Sequence, residues 1–308
     1  MQGDDARWRG KVARSRARAS PGRVPGDDGV GGPIRHHGGA VTAMETLLAL
    51  SWPVRLAALA ILCFGMAAAL TALGFVFERL FGQRRIFAMA LPPGQYTREL
   101  RNGLVFLSLL TIAGTFYLGA GWVDWSGRGS VSGLVTFALC WLGFEVYYYL
   151  LHRAMHTRTL IRVHREHHRS HINTPLTAFS TSIPECLGWI VGYAFVPLVM
   201  TGLALPVHPS GFLAYLIYNF SGNVIGHVNC EIFPALAGRR SASWLAHPII
   251  YHALHHARYT GHYAFGASFM DRSFGSEWSD WPELHAEVLA GAAMTSLKQR
   301  GRSSGQGM

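Results

Sequence analysis

Three apolar stretches, each long enough to cross a bilayer, limit what this chain can fold into. They are residues 54–78 (VRLAALAILCFGMAAALTALGFVFE), 103–123 (GLVFLSLLTIAGTFYLGAGWV) and 131–151 (VSGLVTFALCWLGFEVYYYLL). About 20 apolar residues cross the hydrocarbon as a helix, because backbone polar groups there must bond within their own segment. A fourth run, 187–205, and a fifth, 211–226, flank the short turn PVHPS; Asn219, Ser221 and Asn223 dilute the fifth. The chain is 50% hydrophobic and 14% charged, too apolar for an average soluble domain. The expected fold class is all-α: an integral membrane helical bundle of about four or five membrane helices.

The formal net charge of +10 does not indicate nucleic acid. A nucleic-acid surface needs an organised basic face with aromatics, whereas the arginines here fall at the ends of apolar runs, as in membrane loops. The segment 79–102 carries Arg79, Arg84, Arg85, Arg98 and Arg101, whereas 124–130 carries Arg128 alone. The bias toward basic cytoplasmic loops makes 79–102 cytoplasmic and 124–130 external. Counting spans then places residues 152–171 and 227–308 on the cytoplasmic side of an inner or cell membrane.

Four segments follow. Residues 1–43 are rich in Gly, Arg, Pro and Asp without apolar periodicity, and are expected to be disordered. The texture changes abruptly at Met44, where native translation is expected to start. Residues 44–130 hold the N-terminal membrane helices, 131–285 a histidine-bearing domain and 286–308 a polar, disordered tail. Cys63, Cys140, Cys186 and Cys230 form no CxxC. They read as small buried hydrophobes, outside any disulfide framework or thiolate zinc site.

Histidine is concentrated where the third span ends. LHRAMHTRTLIRVHREHHRSH, residues 151–171, contains six histidines. His152 and His156 form H-x3-H; His164, His167 and His168 form H-x2-H-H; His252, His255 and His256 repeat H-x2-H-H; His227 stands between. On a helix, positions i, i+3 and i+4 share a face, so each cluster is expected to aim its rings together. A buried, metal-free gathering of nine imidazoles is costly. Nine also exceeds the four to six positions of one ion and suits two. Imidazole alone does not choose among Zn, Cu, Fe and Ni. The carboxylate di-iron pattern Glu-x-x-His and the H-E-x-x-H zinc pattern are absent.

The set of boxes resembles the fatty acid hydroxylase/sterol desaturase superfamily over roughly residues 85–280. HREHHRSHINTPLTAFSTSIPE looks like that family's stretch after its second box. HALHHARYTGHYAFGASFMDRSFGS looks like its last box and D-x-x-F-G ending, here Asp271, Phe274, Gly275 and Ser276. The resemblance implies a cytosolic, histidine-lined cap holding two iron ions, with O2 as co-substrate, that hydroxylates or desaturates a lipid C–H bond. The nine family histidines map onto His152, His156, His164, His167, His168, His227, His252, His255 and His256. Many relatives have Asn where this chain has His262. His262, His247, His171 and Glu231 are further candidates, as ligands or as partners of a ligand's free nitrogen. Trp141, Phe144, Tyr147, Tyr148 and Tyr149 precede the first ligand and either line a lipid path or pack the helices.

No fused electron-transfer domain is legible: there is no G-x-G-x-x-G on a strand–helix unit and no cysteine set for an iron–sulfur cluster. The expected partners are therefore a bilayer lipid and a separate ferredoxin or cytochrome-type donor. The rivals are a zinc-dependent membrane lipid hydrolase and a membrane metal transporter. A transporter would carry a polar track through its spans, whereas these histidines gather at span ends.

Overall fold

The computed structural model describes residues 42–234 and 243–301. The expectations for residues 1–41 and 302–308 lie outside the described residues. Among the described residues ten α-helices run in order: α1 (Ala43–Ala49), α2 (Trp52–Leu80), α3 (Gln95–Gly119), α4 (Gly129–Met155), α5 (Ile161–His164), α6 (Ile183–Gly202), α7 (Pro209–Gly226), α8 (Ile249–Arg258), α9 (Phe269–Ser273) and α10 (Trp281–Leu289). Among the described residues, strand pairing is limited to single bridges. Four of these described helices (α2, α3, α4 and α6) are long and apolar enough to cross a membrane.

The 29 residues of α2 rise about 43 Å, well beyond the roughly 30 Å of hydrocarbon. Pro53 starts it, where a missing N–H costs nothing. Arg55, one turn further on, donates to the carbonyls of Leu47, Leu48 and Leu50, satisfying the otherwise orphaned C-terminal carbonyls of α1. A capping box of Thr42 and Glu45 closes the other end of α1. At that end of the bundle the α3–α4 and α6–α7 turns clasp each other: Gly127 N–H donates to Val207 O at 3.2 Å and Val207 N–H to Asp124 O at 2.8 Å.

The second span differs from its expected bounds of 103–123. Its helix begins at Gln95, after the left-handed Gly94, and ends at Gly119. The polar first turns are helical because one face of them is buried in the opposite end of the molecule, where Gln95 donates to Ile172 O and Glu99 is 0% exposed. The fifth run forms α7, whose Asn219 and Asn223 point inward. Asn219 is buried, and Asn223 donates to Ala178 O at 2.7 Å.

The buried apolar residues fall into two cores. One fills the helical bundle and includes Phe106, Phe144, Trp189 and Phe212. The other lies in a cap built by 81–94, 156–182 and the chain after α7; it contains Ile86, Phe87, Ile250, Leu254, Trp281, Leu284 and Met294. The cap corrects the expected tail. Residues 286–301 are folded: α10 runs to Leu289, and Met294, 1% exposed, exchanges backbone hydrogen bonds with Ile86 and Ala88.

Candidate metal centre

Five elements bring the nine histidines to the cap end of the bundle. His152 lies in the last turn of α4 and His156 is that helix's C-cap residue. His164 closes α5, and His167 and His168 sit in the 3-10 turn that follows. His227 is the C-cap residue of α7, and α8 presents His252, His255 and His256. All are buried except His156, which is half-buried.

They divide into two groups: His152, His156, His164, His168 and His255 in one, and His167, His227, His252 and His256 in the other. Within each group the ligand atoms lie within 4.8 Å of one another. The partition follows a rule that the sequence reading lacked. Pairs at i, i+4 stay together (His152 with His156, His164 with His168, His252 with His256). The i+3 member of each H-x2-H-H, His167 or His255, crosses to the other group. The expectation that each trio aims at one point is therefore corrected. The middle ring of each trio is offset from its neighbours and ties the two groups together.

Tautomers decide what the groups hold. A carbonyl oxygen only accepts, so a ring nitrogen bonded to one carries the proton. Nδ1–H donates to Tyr263 O from His152, to Ser180 O from His167, to Asn223 O from His227, to Gly261 O from His255 and to Ser170 O from His256. His164 Nδ1–H donates to the Glu185 carboxylate at 2.8 Å. Each of these six rings therefore turns an Nε2 lone pair inward. Yet the Nε2 atoms of His152 and His164 lie 2.9 Å apart, and those of His167 and His227 lie 3.3 Å apart. Lone pairs facing at such distances repel unless a cation sits among them. His156 Nε2, His255 Nε2 and both nitrogens of His168 are buried without a protein partner. The donor set thus fits one metal ion per group, with the Nδ1 partners fixing ring orientation.

Protonation points the same way. Burial, reinforced by neighbouring imidazoles, holds His167 at about 3, and burial holds His156 and His227 at about 4. His164, His168, His252, His255 and His256 are held well below the usual imidazole range for the same reasons. The rings are neutral at physiological pH, the state in which imidazole ligates.

The four further candidates lie outside both groups. His262 donates from Nδ1 to Tyr251 O and accepts Trp278 N–H at Nε2, leaving no free nitrogen. His247 sits between the carbonyls of Pro248 and Phe265. His171 meets the Tyr259 hydroxyl, whose own ring stacks on His168. Glu231 accepts the Ile250 N–H in the first turn of α8, and so caps the helix that carries three of the nine rings. Sequence reasoning missed Glu185. The legible signal was a carboxylate in the first turn of an apolar helix. It also missed Glu99, which accepts from Ser170, Thr174 and Thr177 and so anchors the stretch after the second box. Asp271, the acid of the D-x-x-F-G ending, accepts the N–H groups of Tyr263 and Ala264 and the hydroxyls of Tyr251 and Ser276. That fixes the segment whose Tyr263 carbonyl orients His152.

A chamber of about 20 Å³ opens below the centre on the membrane side, walled by His164, His167, Glu185, Trp189, Phe144 and Tyr148 among others. Two of the five aromatics before the first box therefore face the centre. The other three bond elsewhere: Trp141 to Tyr218, Tyr147 to the Gly188 carbonyl and Tyr149 to Ser276.

Residues 137–276 match the fatty acid hydroxylase family. This segment belongs to that family. The fatty acid hydroxylase segment starts in α4, ends at Ser276 and contains all nine histidines of the two groups. The chain is also similar to the very-long-chain aldehyde decarbonylase CER1 of Arabidopsis thaliana, 28% identical over 217 residues, covering 68% of this chain and 34% of that protein. With the very-long-chain aldehyde decarbonylase GL1-6 of Oryza sativa subsp. indica it shares 30% identity over 168 residues, covering 53% of this chain and 26% of that protein. The matched part thus spans about a third or less of those relatives' own length. No solved structure matches the chain.

Proposed function

We propose that the protein is a membrane-bound, two-iron, O2-dependent oxidoreductase acting on a lipid C–H bond. One observation carries this reading: two adjoining groups of neutral imidazoles, with lone pairs turned inward, border a chamber that faces the membrane. His152, His156, His164, His168 and His255 would hold one ion, and His167, His227, His252 and His256 the other. When bound, the iron supplies O2 activation for oxidising an unactivated C–H bond. In a hydroxylation, one oxygen atom enters the C–H bond and the other leaves as water, with two electrons and two protons supplied from outside.

The chain's own residues orient and exclude. Glu185 and the carbonyls of Tyr263, Ser180, Asn223, Gly261 and Ser170 hold the imidazoles in one tautomer. Phe144, Tyr148, Trp189 and Phe265 ring the chamber and keep water from it. Residues 79–102 and the second box are rich in arginine, which supports a cytoplasmic centre. Arg153, Arg158, Arg162, Arg165 and Arg169 are exposed on the outer side of the segment whose inner side holds the second box. That face suits an acidic electron-donor protein, with association that weakens as salt rises.

The relatives' names favour a second reading: a very-long-chain aldehyde as substrate, which loses its carbonyl carbon. Two measurements test the proposal. Anaerobically purified protein should hold about two irons per chain and consume O2 with reductant only when lipid is present. Lipids of cells carrying the wild-type chain should differ from those carrying His168→Ala. Zinc in place of iron without O2 uptake, or unchanged lipids, would overturn it.

A further inference from the structure

The chamber below the histidines is not isolated. An apolar cavity of about 150 Å³ lies deeper in the bundle, between α2, α3, α6 and α7, and Tyr193 of α6 lines both spaces. The Tyr193 ring is parallel to Phe144, with centroids 5.3 Å apart and planes 5° apart. Phe144 in turn meets Phe265 edge-on at 5.4 Å, so the partition is braced from the chamber side. The cavity is closed at its far end by Met44 and Leu47 of α1, which are 1% and 7% exposed. Its lateral wall includes Leu62 of α2 and Ile217 of α7, which are 50% and 46% exposed. Apolar cavities of this size stay dry and take up hydrocarbon.

The two volumes discriminate among lipids. About 20 Å³ is room for roughly one water-sized group, so neither a fused ring system nor a large head group enters the chamber. The lining changes along the path. Cavity residues such as Leu59, Leu110, Ile190 and Leu216 offer only apolar surface, whereas Thr181, Glu185 and Asn223 add polar groups at the chamber.

We propose that Tyr193, backed by Phe144, is the specificity-determining gate between these spaces. The ligand is a single unbranched alkyl chain that enters from the bilayer between α2 and α7. Its reacting end, no larger than an aldehyde or a methyl group, passes Tyr193 into the chamber. Its remaining length stays in the cavity above α1. This rests on the oxidase reading for what happens at the reacting end, but the binding path stands on the cavities alone.

The test is photolabelling of the full chain in lipid nanodiscs with a long-chain fatty aldehyde carrying a diazirine on its far terminal carbon. A lysophospholipid with the same terminal diazirine serves as the bulky-head comparison. The aldehyde should label the α2 and α7 peptides that contain Cys63 and Leu216, with or without iron, and the lysophospholipid should not. Leu216→Trp, which fills the cavity, should cut that labelling roughly tenfold, the scale on which an apolar pocket rejects a misfit. Ala113→Leu fills the same cavity from α3 and should act likewise, which covers the case of a Leu216→Trp protein that does not fold. In iron-loaded protein, Tyr193→Ala should admit substrates branched near the reacting end, while Tyr193→Phe should keep the wild-type preference. Equal labelling by both probes, or labelling unchanged in both filled variants, would overturn the proposal. Specific labelling in a protein that consumes no O2 with any lipid would uphold the binding path and sink the oxidase reading.

Discussion

Glu185 Oε1 lies 2.8 Å from His164 Nδ1, and the same oxygen accepts the indole N–H of Trp189 at 3.2 Å. One carboxylate in the first turn of α6 therefore fixes a ring of the five-histidine group and a wall of the chamber together. Carboxylates placed behind a ligating imidazole raise its basicity and lock its orientation. Glu185→Gln keeps the shape and removes the charge. It should weaken metal binding by about 10- to 100-fold in chelator competition, with helical content unchanged. Wild-type affinity in this variant would show that the backbone-held rings suffice without it.

The partition into two groups makes a stoichiometric prediction. His156→Ala removes a member of the first group and His227→Ala a member of the second. Each variant should retain about one metal ion per chain where the wild type holds about two, as read by metal analysis of folded, size-selected protein. The partition is wrong if both variants keep two ions or if both keep none.

Glu99 is the least expected structural residue of the cap. Buried in the second turn of α3, its carboxylate accepts from the hydroxyls of Ser170, Thr174 and Thr177 and from Gln95 Nε2. Glu99→Ala leaves these buried donors unpaired, which costs about 1–3 kcal/mol for each group left unsatisfied. The same change loosens Ser170, whose carbonyl orients His256. Thermal unfolding in detergent should fall by several degrees, and metal should be lost preferentially from the four-histidine group. Glu99→Gln, which still accepts at one atom, should be milder on both measures.

What the sequence made legible follows from the range of the interactions involved. Apolar runs such as 54–78 announce their helices because each segment satisfies its own backbone. The ends are less legible because distant groups set them. Gln95–Asn102 reads as a polar loop until Ile172 and Ser170 come to meet it. Met294 reads as part of a tail until Ile86 and Ala88 pair with it. The nine histidines were legible from spacing, but their division was not. The second box is not one helix but a short α5 followed by a 3-10 turn, and which ring crosses depends on that break. Glu185 stands 21 residues from the histidine it serves, a separation that no local pattern reveals.

His262 sets the last prediction, in the metal-free protein. Its Nδ1–H donates to Tyr251 O at 2.8 Å, its Nε2 accepts Trp278 N–H at 2.9 Å, and its ring stacks on Tyr251 with centroids 3.5 Å apart. A second proton would have to sit on Nε2, facing another N–H. Burial, the largest cause, lowers the folded value to about 3 from the usual 6.5. Between those values the unfolded chain binds a proton that the folded chain refuses, so stability is full above pH 6.5 and falls as the pH drops toward 3. His262 also holds a left-handed backbone at φ 54°, a conformation that asparagine adopts more readily than most residues. His262→Asn removes the titrating ring without adding backbone strain. Its unfolding free energy should therefore fall less steeply with acid than the wild type's, by about 1.4 kcal/mol per pH unit below pH 6.5, one proton's share. Chemical denaturation of the two metal-free proteins at a series of pH values measures the difference directly, and parallel curves would show that His262 takes up its proton in the folded state.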